Sequence, residues 1–131
     1  MRIVLIGAAA YNIIWGAFIV LFPLIPFTWA GLAPPTYPEI WQCLGMVVGV
    51  YGVGYAVASS HPLRHWPLVL VGLLGKVLGP IGFFYYALQT RIPWSAGWMI
   101  LANDLSWWLP FGMILYRVHQ LNRMAATMFR T

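Results

Sequence analysis

The chain reads as an all-α membrane protein: a four-helix transmembrane bundle, antiparallel up-down, with both termini cytoplasmic and a short amphipathic C-terminal helix. Three observations lead there. Of 131 residues 62% are hydrophobic and only 7% charged, a balance suited to a chain whose solvent is lipid. Four apolar windows, 3–22, 40–58, 67–88 and 95–116, each supply the ~20 helical residues needed to cross ~30 Å of hydrocarbon. Helix breakers stand between the windows: Pro23, Pro26, Pro34, Pro35 and Pro38, then His61-Pro62, then Ile92-Pro93. The whole chain, 1–131, forms a single membrane domain.

The first window follows Met1-Arg2, the arrangement of a signal peptide, but its apolar stretch is longer than a signal core, and residues 23–27 offer no small-residue cleavage site. It is therefore a span. The second opens on Pro38-Glu39, a normal first-turn composition that makes Glu39 a helix start rather than an acid catalyst, and carries Gly45, Gly49 and Gly52. The third carries Gly72, Gly75, Gly79 and Gly82 at spacings that place them on one helical face. Such faces let helix backbones approach closely in lipid, so all seven glycines are expected at helix-packing contacts. The fourth holds Asn103 and Asp104. The tail, 117–131, alternates Arg117, His119, Arg123 and Arg130 with Val118, Leu121, Met124, Met128 and Phe129, as a basic amphipathic helix lying on anionic headgroups does.

Lys and Arg total 7 against 2 acids, a formal charge of +5. In this segmentation Arg2, Arg64, Arg117, Arg123 and Arg130 share one side and Arg91 stands alone on the other, which satisfies the positive-inside rule for a multi-pass protein of a bacterial inner membrane. Trp29, Trp41, Trp94 and Trp98 near the outer interface and Trp66 near the inner one complete an aromatic belt. The arginines form no clustered face, so no nucleic-acid partner is expected. The lone Cys43 allows no intrachain disulfide and is expected as a small buried hydrophobe.

Lys76 is the most informative residue. It lies mid-window, where a charge costs at least ~2.5–3.5 kcal/mol and persists only when paired, hydrated or useful. Counting about 1.5 Å per residue puts Lys76 and Asp104 at one depth near the midplane, with Asn12 and Tyr51 at a similar level. Pro80 removes the hydrogen bond to the Lys76 carbonyl and is expected to leave that acceptor open at the same depth. Two readings compete: a buried ion pair that only fixes helix register, with Asn12 as interhelical glue, and a functional site walled by Trp15, Tyr55, Trp107 and Trp108.

Other chemistry is poorly supplied. Pro62 interrupts the stretch between His61 and His65 and no carboxylate lies near, so no metal is expected there. No nucleophile elbow, phosphate loop, HExxH or CxxC occurs, and no cofactor is implied.

Trp41-Gln42, Gly45-Met46, Gly49-Val50-Tyr51-Gly52 and Gly54-Tyr55, then Arg64-His65-Trp66-Pro67, Gly72, Gly75-Lys76 and Gly79-Pro80, then Asn103-Asp104, Trp107-Trp108 and Pro110-Phe111 resemble a group of small bacterial four-span membrane proteins of no assigned activity. The resemblance covers spans two to four well and span one loosely. It implies the four-span fold and the joint presence of Lys76 and Asp104, and no catalytic residue; similarity to DoxX-like proteins is architectural only.

The expected function is non-catalytic: a midplane centre of Lys76 and Asp104, assisted by Asn12, Tyr51, Asn103, Trp15 and Trp108, binds a small ligand or relays protons. The runner-up is an accessory subunit of a larger membrane complex, gripping neighbouring helices or pigments. A membrane enzyme comes third, because one acid and one base without metal ligands give little chemistry. Partners are the lipid bilayer and either further copies of the chain or a larger complex.

Overall fold

The computed structural model describes residues 1–128. All regular structure among them is helical: α1 (Arg2–Leu21), α2 (Ile25–Ala30), α3 (Pro38–Ser60), α4 (Trp66–Leu88), a 3-10 turn (Trp94–Ala96), α5 (Gly97–Ile100), a π-helical segment (Leu101–Leu105) and α6 (Ser106–Met128). Three of these, α1, α3 and α4, are long and apolar enough to cross a membrane, which marks the chain as a membrane protein. Large apolar side chains cover their outer faces, among them Val50, Leu78 and Ile81. Lipid is a natural solvent for such a surface.

The fourth apolar window, 95–116, does not form one helix. Its first half is divided among the 3-10 turn, α5 and the π-helical segment, and its second half belongs to α6. α6 also absorbs most of the tail: with no glycine or proline between Met113 and Met128, nothing stops the helix at Arg117. The separate C-terminal helix expected from the sequence is therefore a continuation of α6, while Phe129, Arg130 and Thr131 lie outside the described residues. The loop after α1 contains α2, started by Pro26 in its first turn and closed by Gly31 in the left-handed conformation (φ 68°) that glycine adopts without strain.

α1 and α3 form the closest helix pair and run antiparallel. A Cβ on Gly16 would fall 2.5 Å from the Gly45 carbonyl oxygen and 2.8 Å from the Gly49 nitrogen, and one on Gly52 would fall 2.9 Å from the Ala9 carbonyl oxygen. Backbone therefore rests on backbone, with the close van der Waals contact that holds helices together in lipid. Gln42 fastens the far end by donating through Nε2 to the Val20 carbonyl at 2.7 Å, satisfying one of the open acceptors at the end of α1.

α4 uses its glycines differently. Gly72 lies under the Tyr55 ring and Gly79 under the Asp104 carboxylate, whereas a Cβ at Gly75 or Gly82 would meet nothing within 4 Å, and the same holds for Gly49 on α3. Gly75 and Gly82 border cavities instead of a neighbouring helix, so the single packing face expected from their spacing is divided between two roles. Cys43 is exposed rather than buried, because the face of α3 turned to α1 is occupied by Gly45, Gly49 and Gly52.

Two apolar clusters close the bundle. Leu5, Ala8, Tyr55, Ala58, Val69, Phe111, Ile114 and Val118 join α1, α3, α4 and α6 at one end. Ala30, Phe83, Ala87 and Ala96 join α2, α4 and the 3-10 turn at the other. The polar groups lie between them.

Candidate functional site

Lys76 projects from the middle of α4 toward the π-helical segment, and both Lys76 and Asp104 are buried, at 5% and 7% exposure. Their charged atoms, Nζ and Oδ1, stand 4.0 Å apart. That separation gives an ion pair but exceeds a direct hydrogen bond. Nζ donates instead to the main-chain carbonyl of Asn103 at 2.5 Å, and lies 6.0 Å from the centre of the Trp107 ring. The Asn103 side chain donates through Nδ2 to Asp104 Oδ1 at 3.2 Å. Of the three Nζ protons, one is committed to that carbonyl, and the carboxylate keeps acceptor capacity toward the gap.

The carbonyl that accepts from Lys76 belongs to the π-helical segment. In regular α-helix the Asn103 oxygen would be taken by the N–H four residues on; a π turn shifts that pairing and re-aims the local carbonyls. Asn103 was expected at the centre from its place in the chain, while the main-chain oxygen that grips Lys76 carries no residue signature. Only a backbone argument could have found it.

Pro80 frees the Lys76 carbonyl, yet that oxygen does not stay open: Trp108 donates to it through Nε1 at 2.9 Å. The indole thus replaces the helix bond that proline removes. Trp108 supports the lysine from behind and borders neither of the two cavities at the ion pair. Replacing Trp108 with Phe keeps the ring and deletes the donor, and is expected to cost about 1–2 kcal/mol, the penalty of one unsatisfied carbonyl. Denaturant titration in bicelles measures it; an unchanged midpoint would mean that the bond contributes nothing.

A cavity of about 420 Å³ opens beside the pair, between α1, α3, α4 and the π-helical segment. Asn12, Trp15, Tyr51, Lys76, Asn103 and Asp104 all border it, so six of the seven residues expected at the site share one space. Tyr51, expected at this depth, is among them. Tyr55 lines it as an expected wall, Trp107, also expected there, borders neither cavity, and Trp41, Gly75 and Gly79 join the lining without having been expected at the site. Trp41 was assigned to the interfacial belt by its position in the chain, and only the crossing of α1 and α3 brings its ring inward.

A second cavity, of about 370 Å³, lies toward the α2 end and shares Trp15, Trp41, Gly79, Asn103 and Asp104 with the first. The two meet at Asp104. Several buried polar atoms near the pair or its cavities have no hydrogen-bond partner among the described residues: Asn12 Oδ1, Asn103 Oδ1, Trp41 Nε1 and Trp107 Nε1. Asn12 is only 3% exposed. Buried polar groups are ordinarily paired, so four open ones around a single ion pair set this region apart from a closed core.

His61 and His65 lie at the α3–α4 turn with ring centres 6.4 Å apart and planes tilted by 49°, and no group of three or more His, Cys, Asp or Glu that could hold a metal ion occurs among the described residues. The fold and site together describe a helical membrane bundle built around one buried ion pair among the described residues. Comparison with protein-family models, curated proteins and solved structures gave no match.

Proposed function

We propose that the chain crosses a bacterial inner membrane four times with both termini cytoplasmic, and binds a small molecule at the Lys76–Asp104 centre. The fourth crossing is the succession of helical segments from the 3-10 turn through α5 and the π-helical segment into α6, whose N-terminal part packs on α4 and whose far end carries the basic residues. The orientation is supported by charge: Arg2, the turn bearing Arg64, and Arg117 lie at the end closed by the Leu5–Val118 cluster, and Arg91 lies at the other. Arg117, His119 and Arg123 are exposed along α6, where they suit contact with anionic headgroups.

One observation carries the binding reading. A purely structural ion pair closes on itself, with short bonds and its surroundings satisfied. Here the pair stands 4.0 Å apart beside a cavity of about 420 Å³, with the unpartnered amide oxygens of Asn12 and Asn103 next to it. Cavities of this size, mostly apolar with a few converging polar groups, are the usual form of small-molecule sites.

The test is the paired replacement Lys76→Met with Asp104→Leu, which removes both charges and leaves neither partner stranded. Wild type and variant are reconstituted in nanodiscs, and the small molecules carried through purification are identified by mass spectrometry. A compound held by the wild type and missing from a variant with unchanged thermal unfolding is the expected result. Identical extracts from two folded proteins would return the pair to a register-setting role.

A further inference from the structure

The chemistry around the pair also restricts what kind of molecule belongs there; the inference rests on the ligand-binding reading above. Among the described residues bordering the larger cavity, Lys76 and Asp104 are the only charged side chains, so the site is neutral as a whole. A cation entering it would be drawn by Asp104 and repelled at the same depth by Lys76, and an anion the reverse. Either would leave an uncompensated charge far from water, whereas a neutral molecule leaves the pair balanced.

The hydrogen-bond inventory narrows the choice further. Lys76 has N–H donors beyond the one given to the Asn103 carbonyl, and Asp104 accepts only. A single atom bridging the two from beside the 4.0 Å gap must therefore accept from Nζ and donate to the carboxylate. A hydroxyl does both. The amide of Asn12, buried and unpartnered at its oxygen, lines the same space, and an amide turns readily about its last torsion to offer a further acceptor. The walls are rings, Trp15, Trp41, Tyr51 and Tyr55, which suit a flat body.

The entrance follows from the cavity's rim. Leu44, Val47 and Tyr51 of α3 border it and are exposed, and across from them Gly75 of α4 has no neighbour within 4 Å of its Cβ position. In a bilayer that face looks onto hydrocarbon. We propose that the cavity admits, sideways from the membrane between α3 and α4, a neutral ring-bearing lipophile whose hydroxyl bridges Lys76 and Asp104. Gly75 is the threshold: a large side chain there fills the opening without striking another helix.

Three naphthalene probes test the class: 2-naphthol, 2-naphthoate and 2-naphthylmethylammonium share one ring and differ in charge. Equilibrium dialysis of each tritiated probe against full-length protein in zwitterionic nanodiscs, with empty nanodiscs subtracted, reads specific binding. Saturable 2-naphthol binding at least about tenfold tighter than either charged probe is expected, together with its loss in Gly75→Phe at unchanged thermal unfolding. A charged probe binding as tightly as 2-naphthol would overturn the neutral class while leaving the site itself standing. Undiminished 2-naphthol binding in folded Gly75→Phe would overturn the sideways entrance. If none of the three binds but the wild type still carries a compound lost from the Lys76→Met, Asp104→Leu protein, the ligand class is wrong and the binding reading survives. If no probe binds and no such compound exists, both fall.

Discussion

Asp104→Leu alone is expected to destabilise the bundle by about 3 kcal/mol, far more than the paired replacement of Lys76 and Asp104. The single change leaves the Lys76 ammonium at 5% exposure with one carbonyl partner and no counter-charge, and breaking a buried pair from one side typically costs ~3–5 kcal/mol. Lysines near helix ends relieve such strain by reaching for the interface, but Lys76 lies near the middle of a helix of 23 residues, too far from either end. Adding Lys76→Met to Asp104→Leu should restore most of the loss, since two apolar side chains of similar volume then face each other. Denaturant titration of wild type, both single variants and the double variant in bicelles gives the coupling directly. Additive single effects would show that the two charges do not act as a unit.

Gly16→Val is expected to be the most damaging change remote from the ion pair, at about 3 kcal/mol, the upper part of the usual range for overpacking. Its first added carbon would meet the Gly45 carbonyl oxygen at 2.5 Å and the Gly49 backbone at 2.8 and 2.9 Å, atoms that cannot rotate aside as a side chain can. Helices α1 and α3 would have to separate along their closest seam. Gly75→Ala is the control, because its added carbon meets nothing within 4 Å. Thermal unfolding in detergent should separate the two clearly; equal midpoints would refute backbone-on-backbone packing as the basis of the α1–α3 contact.

Composition and periodicity made the helical class, the apolar stretches and the depth of the polar groups legible in the sequence. Lys76 and Asp104 could be matched because both are rare in apolar runs and a helix rises by a fixed step per residue. What escaped notice depends on local backbone choices that residue identity states weakly. The π-helical segment has no glycine or proline to announce it, so the fourth apolar window reads as one smooth helix when it is several pieces. Spacing placed four glycines on one face of α4 but could not tell which of them met a neighbour, since that depends on where α3 crosses. The carbonyl freed by Pro80 was visible in the sequence; its donor, Trp108 on another helix, was not.

The single π turn also settles a problem of phase along the last helical run. Trp98 and Trp107 are nine positions apart, about 900° of ordinary helical rotation, which would set them on opposite sides. Both nevertheless address α1, Trp98 meeting Trp15 at 6.4 Å between ring centres and Trp107 meeting Tyr11 at 5.7 Å. The wider turn between them absorbs roughly one residue's worth of rotation, about 100°, which reduces the half-revolution mismatch to about 80° and lets both rings reach the same neighbour. Asp104 sits inside that correction, and its aim toward Lys76 is therefore fixed by the phase shift as much as by its own place in the chain.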